Sequence, residues 1–394
     1  MMTNRQLFLS HIGQTSAAPL CLEIVKAEGC KLIDVNGNEF IDLIGGISVC
    51  NVGHRHPKII EAIKKQLDDY LHIMVYGELV EGPQVQYAKL LTDHLPPSLN
   101  AVFFTASGSE ATEGAMKLAK RFSNRTQIIS FKNSYHGSTQ GALSVMGSEY
   151  WQQAFRPLLP DILPLNFNEE EGLKNITERT ACVIAETIQA EAGVMVPQNA
   201  WLTALRNKCN ETGTLLILDE IQTGFGRTGT LWAFEQFGVI PDILLLGKAL
   251  GGGMPMGAFI ADKKMMDTFT HNPVLGHITT FGGHPVCCAA GMAAFNVLLE
   301  EKLMEGIMKK EASFLTSLNH PKIKAIRSIG LMIAVEFENF EMNKKVIHTL
   351  ISAGVFTDWF LFAPNCLRIV PPLVISFEEI TLACKKIIEV LNNL

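Results

Sequence analysis

The chain has 394 residues, 47% hydrophobic and 18% charged, enough apolar material for a large buried core and, by length, two or three domains. Its formal charge of -6 is spread over mixed acids and bases, with no basic run that could track a phosphate backbone, which argues against nucleic acid as a partner. Nine cysteines, with no CxxC pair and no metal-ligand spacing, read as free thiols in a reducing cytoplasm.

The opening residues lack the basic start and long apolar core of a signal peptide, so no export is expected. Residues 23–25 and 31–35, with the turn Asn36, Gly37, predict a β-hairpin. Through the middle, β-rich runs at 102–105, 128–131, 182–185, 215–218, 243–246 and 258–260 alternate with helical segments near 109–122, 200–212 and 285–301. That alternation is the pattern of a parallel sheet covered by helices. Residues 243–261 are apolar enough to raise a membrane span, but Gly251, Gly252, Gly253 and Pro255 interrupt them and Lys248 lies within. Two β-like runs at 323–328 and 332–337, a helix near 343–353, a strand at 367–370 and a helix from Ser376 predict a smaller α/β domain. The opening hairpin is expected to pack with it. The expected division is a segment of the small domain at 1–45, a large domain at 46–300, and the rest of the small domain at 301–394.

Three features carry chemistry. Leu244, Leu245, Leu246 and Gly247 lead into Lys248, placing an amine at the edge of a core, where burial favours the neutral, nucleophilic form. A lone lysine there more often snorkels from a strand end. Thr214 to Leu218 form an apolar run ending in Asp219 and Glu220, so a carboxylate is held where open α/β sheets collect ligands, although a helix cap or a surface turn acid would look the same. Ala106, Ser107, Gly108 and Ser109 follow a strand and open a helix: Gly108 admits close backbone approach, and helix amides with the Ser109 hydroxyl could hold an anion. Thr279, Thr280, Gly282 and Gly283 form a second small-residue run. Gly224, Gly226 and Gly229 spell a dinucleotide fingerprint, but four residues separate it from the strand and no second-strand acid follows at about 20 positions. No nucleotide-triphosphate P-loop occurs.

Together, residues 53–57, 107–111, 135–137, 219–229, 241–257, 280–285 and 367–372 resemble the class III aminotransferases, the family of acetylornithine, ornithine and ω-amino acid aminotransferases. The resemblance covers almost the whole chain. It implies fold type I, with a large domain built on a mostly parallel sheet and a smaller α/β domain formed by both termini, and pyridoxal 5'-phosphate as cofactor. Lys248 would be the Schiff-base lysine and Asp219 the partner of the ring nitrogen. Ser107, Gly108 and Ser109 would hold the phosphate, Tyr135 would stack on the ring, Ile221 would pack on its other face, and Gln222 would reach the phenolic oxygen. His136 and Glu186 fall among the implied cofactor contacts. Thr279 and Thr280 would bind the phosphate of a neighbouring subunit, which requires a homodimer. His54 and His56 belong to a structural turn rather than a metal site.

Arg368 resembles the family arginine that clamps the substrate α-carboxylate, and Glu191 the glutamate that can pair with it. Two departures bear on substrate. Ser138 stands where the acetylornithine and ornithine enzymes carry another carboxylate-binding arginine, and Ile47 stands where the ornithine enzymes carry a tyrosine. The expected reaction moves the distal amine of N-acetylornithine, or a similar ω-amino compound, to 2-oxoglutarate in a cytoplasmic homodimer, with no metal, nucleic acid or membrane partner. A diamine or ω-amino acid donor is the alternative, and an aminomutase, a decarboxylase or a nonenzymatic regulator would share the cofactor residues.

Overall fold

The computed structural model describes residues 2–394. A helix at Asn4–His11 opens it, followed by three short strands, β1 (Ile24–Glu28), β2 (Lys31–Asp34) and β3 (Glu39–Asp42). The two predicted strands pair as β1 and β2, and the predicted turn leads from β2 into β3, which the sequence did not show; Asp34 Oδ1 closes that turn by accepting from the Asn36 and Asn38 amides at 2.9 and 2.8 Å. Helices at Pro57–Asp69 and Gly82–Thr92 follow, neither of them anticipated from the sequence.

The central sheet holds β4 (Ala101–Thr105), β5 (Gln127–Phe131), β6 (Ile162–Leu165), β7 (Thr180–Glu186), β8 (Leu215–Asp219), β9 (Ile243–Leu246) and β10 (Gly257–Ala261), in the order β4-β10-β9-β8-β7-β5-β6. The expected parallel arrangement holds except for β10, which is antiparallel to both β4 and β9. The cause is chain length: residues 247–256 are too few for a parallel crossover, which needs roughly a dozen or more residues. Every residue of β7, β8 and β9 is buried, which explains their unbroken apolar runs. Ile184, Ile217 and Leu245 face the helix Gly108–Ser123, while Val183, Leu216 and Leu244 face the core that contains the helix Pro285–Glu300. Each such side chain contributes about 1.5–3 kcal/mol of burial. Residues 243–261 thus form β9, a turn and β10, and no helix among the described residues is long and apolar enough to cross a membrane.

Five further strands follow, β11 (Ala325–Ile329), β12 (Met332–Glu336), β13 (Val355–Phe356), β14 (Trp359–Phe360) and β15 (Ala363–Ile369), with the two expected helices at Phe340–Ser352 and Phe377–Asn393. The sheet β11-β12-β15-β14 is antiparallel, and β13 adds in parallel to β3, so the opening hairpin and the C-terminal region share a sheet.

Candidate active site

Because β4, β5, β7, β8 and β9 share one direction, their carboxyl ends lie along one edge of the sheet, and a cavity opens there. Its wall brings together Lys248, Asp219, Glu186, Tyr135, His136, Ile221 and Gln222 with Ser107, Gly108 and Ser109. Gly137, part of the 135–137 run, and Thr223, to which the sequence gave no role, complete it.

Lys248 emerges from β9 into a short 3₁₀ turn at φ 45°. Its Nζ donates to Gln222 Oε1 at 3.3 Å inside the cavity rather than snorkelling outward. Burial pulls its pKa down from the usual lysine value, against the pull of Glu191 and Asp219. Asp219 ends β8, in register with Glu186 of β7. Its Oδ2 stands 2.7 Å from His136 Nδ1, and its Oδ1 accepts from the Ile221 amide at 2.9 Å, so it is neither a surface acid nor a helix cap. Glu186 accepts from the Tyr135 and Ala190 amides, both at 2.9 Å, and burial, with neighbouring Asp219, pushes its pKa up to about 8. Two adjacent carboxylates are thereby set apart, one held against a histidine and one holding a proton near neutral pH.

The turn at Ser107 opens the helix as the sequence suggests, with one revision. Ser107 caps the helix, its side chain accepting from the Glu110 amide at 3.2 Å, whereas the Ser109 hydroxyl accepts from the Ser138 amide at 3.1 Å. At Gly137 (φ +124°) a Cβ would fall 1.9 Å from Ser109 Oγ, so only glycine lets the turn after Tyr135 lie on the helix start. Glu113, overlooked in the sequence, fixes the next turn by accepting from the Thr139 hydroxyl at 2.7 Å and the Gly141 amide at 2.8 Å. Its place one helical turn after Gly108–Ser109 was the available signal.

Thr279 and Thr280 do not reach this cavity. Thr279 lines a separate hollow with Val75, Tyr76 and Gly77, and Thr280 is exposed. Arg368 and Glu191 are buried against one another, NH1 to Oε1 and NH2 to Oε2 at 2.8 Å each, outside the cavity wall yet close enough for both to act on the charge of Lys248. Ser138 is exposed, its Oγ 3.0 Å from the Tyr135 hydroxyl. Ile47 takes a left-handed φ of 63°. The glycine run 224–229 opens no helix; its Arg227 is buried and donates to the Leu331 and Pro371 carbonyls. His54 Nε2 bonds Asp42 Oδ2 at 2.7 Å, His56 precedes the helix Pro57–Asp69, and no cluster able to hold a metal occurs among the described residues.

Comparison with known proteins matches residues 12–391 to the model of aminotransferase class III. An acetylornithine aminotransferase of Methanopyrus kandleri is 39% identical over 387 residues, 97% of each chain, and one of Bacillus cereus is 36% identical over 94% of this chain and 95% of its own. Among solved structures, an ornithine aminotransferase of Toxoplasma gondii with pyridoxal phosphate at partial occupancy superposes with a TM-score of 0.90 at 31% identity, covering 98% of this chain and 92% of that one. An (S)-enantioselective ω-transaminase of Thermomicrobium roseum superposes with a TM-score of 0.91 at 27% identity, covering 98% and 97%. With a family match spanning nearly the whole chain, on the fold type that the sheet order displays, the chain belongs to the class III aminotransferases and is a pyridoxal-phosphate-dependent transaminase.

Proposed function

We propose that this transaminase moves the distal amine of N-acetylornithine, or a similar ω-amino compound, to 2-oxoglutarate. The observation that carries the catalytic half of the reading is a buried lysine, its pKa pulled down, facing a His-supported carboxylate across one cavity. The acetylornithine aminotransferases among the relatives support the donor.

The wall fits pyridoxal 5'-phosphate on its own chemistry. The amides of the helix start at Gly108, where a Cβ would meet Ile221 Cδ1 at 2.9 Å, suit a phosphate. Gln222 Nε2 is buried with no partner and suits an oxygen acceptor. Asp219, oriented by His136, suits a protonated ring nitrogen. When bound, the cofactor supplies an aldehyde for the donor amine and an electron-withdrawing ring. Asp219 would hold a proton on the ring nitrogen, Tyr135 and Ile221 would hold the ring, and Ser107 and Ser109 would shape the phosphate turn. Lys248 Nζ, its pKa lowered by burial, would act as the base that takes the proton from the substrate carbon bearing the amine and as the acid that returns it. Arg368 clamps the substrate α-carboxylate once Glu191 withdraws.

The same reading divides the chain into a large domain at 46–300 and a small one from 1–45 and 301–394. It makes the enzyme a homodimer in which Thr279 and Thr280 complete the partner's phosphate site. Support comes from their position outside the cavity, beside the exposed Val274, Leu275, Ile278 and Phe281. Nine free thiols support a reducing compartment such as the cytoplasm.

A diamine or ω-amino acid donor is the second reading, favoured by Ser138, which offers a hydroxyl where a carboxylate would want a cation. The test is a screen of N-acetylornithine, short diamines and ω-amino acids against 2-oxoglutarate and pyruvate. N-acetylornithine with 2-oxoglutarate should give the highest kcat/KM. A diamine leading the ranking selects the second reading, and no transfer from any ω-amine overturns both.

A further inference from the structure

The Arg368–Glu191 pair has a third charged member. Asp358 Oδ1 stands 2.9 Å from Arg368 Nε, off the N–H axis, so the contact is a close ion pair rather than a hydrogen bond. Burial raises the Asp358 pKa to about 6, against the opposing pull of Arg368, and the carboxylate is ionised at neutral pH. The guanidinium is enclosed on its other sides. Glu191 takes NH1 and NH2, the Trp359 carbonyl accepts from NH2 at 2.7 Å, and the Phe360 ring centre lies 4.6 Å from Cζ. Glu191 is in turn fastened by the Leu361 amide at 2.9 Å. Residues 358–361 are consecutive and run through β14 into the turn before β15.

An incoming carboxylate meets an arginine with the Asp358 charge already against Nε and must displace Glu191 from the other edge. One cation stands against two carboxylates, so a third carboxylate joins a cluster already in negative excess. We propose that Asp358 is a specificity-determining residue: it keeps Arg368 neutralised after Glu191 withdraws and so weakens substrates bearing an α-carboxylate relative to amines that lack one. This rests on the proposed role of Arg368 as the carboxylate clamp.

The test is calorimetric titration of the holoenzyme with glutarate, a dicarboxylate with neither amine nor ketone, in the parent, Asp358→Asn and Asp358→Ser. Asparagine keeps an oxygen facing Nε and removes the charge. Glutarate should bind Asp358→Asn roughly three- to tenfold more tightly, the scale of removing one like charge from a partly screened site. Asp358→Ser should shift in the same direction, and the gain should vanish in an Arg368→Ala background. Unchanged or weaker binding in both variants, no glutarate binding in any of these proteins, or a gain that survives without Arg368 would overturn the proposal. Glutarate binding is read without turnover, so a failure of the donor assignment appears in the amine screen and a failure of the Asp358 role appears here.

Discussion

Replacing Arg368 with alanine removes two 2.8 Å charge-assisted bonds from Glu191 and leaves that carboxylate buried with only the Leu361 amide. Breaking a buried pair on one side costs about 3–5 kcal/mol, because an uncompensated charge stays behind. Arg368→Lys restores the charge but not the planar fork, and should recover roughly one such bond, about 1.5–3 kcal/mol. Pairing Arg368→Ala with Glu191→Gln should restore only part of the stability, because Asp358 is left without its cation, and none of the activity. The pH dependence has a definite sign. Burial alone would raise the Glu191 pKa, but Arg368 outweighs it and the folded value is lowered. The stabilisation is therefore present above the ordinary glutamate pKa and is lost as pH falls through the depressed one. In Arg368→Ala burial is opposed only by the Leu361 amide and Lys248, so the Glu191 pKa should rise and the stabilisation at high pH should shrink or reverse. Denaturant unfolding across pH measures this, and stopped-flow measurement of the glutamate half-reaction measures the catalytic loss, on the order of ten- to a hundredfold or more for one charge-assisted contact. A glutamate half-reaction within about twofold of the parent in Arg368→Ala would place the clamp elsewhere.

Asp219→Asn should retain the cofactor yet nearly stop turnover, since an amide cannot hold the ring nitrogen protonated; near-normal single-turnover rates would remove Asp219 from that role. Mixing an inactive Lys248→Ala chain with an inactive Thr280→Lys chain should restore some activity, through one intact site per heterodimer. Absence of recovery in verified heterodimers contradicts a shared phosphate site.

The sheet was legible because its central strands are buried on both faces, so Ile243–Leu246 and Leu215–Asp219 stand out as unbroken apolar runs ending in the two groups that chemistry needs. β6 was not, since Pro160, Asp161 and Pro164 disguise a short edge strand. The reversal of β10 lay in the length of the loop before it. The helix Pro57–Asp69 left a signal that was passed over: proline at its first position and Ile59, Ile60, Ile63 and Leu67 at helical spacing. In the site, the residue types were readable but their pairings were not. Nothing in the spacing of His136 and Asp219 foretells a 2.7 Å contact between residues 83 apart in the chain. Asp358 sits between two very short strands, where neither period 2 nor period 3.6 can develop, so only the folded hairpin reveals that it faces Arg368.

The central claim is that Lys248 holds the cofactor. Borohydride reduction of the purified holoenzyme, followed by proteolysis and mass spectrometry, tests it most directly. The account predicts one pyridoxyl-modified peptide, carrying the label on Lys248 and absent from Lys248→Ala. A label on any other lysine, or a Lys248→Ala protein that is still trapped to the parent's extent, would contradict it.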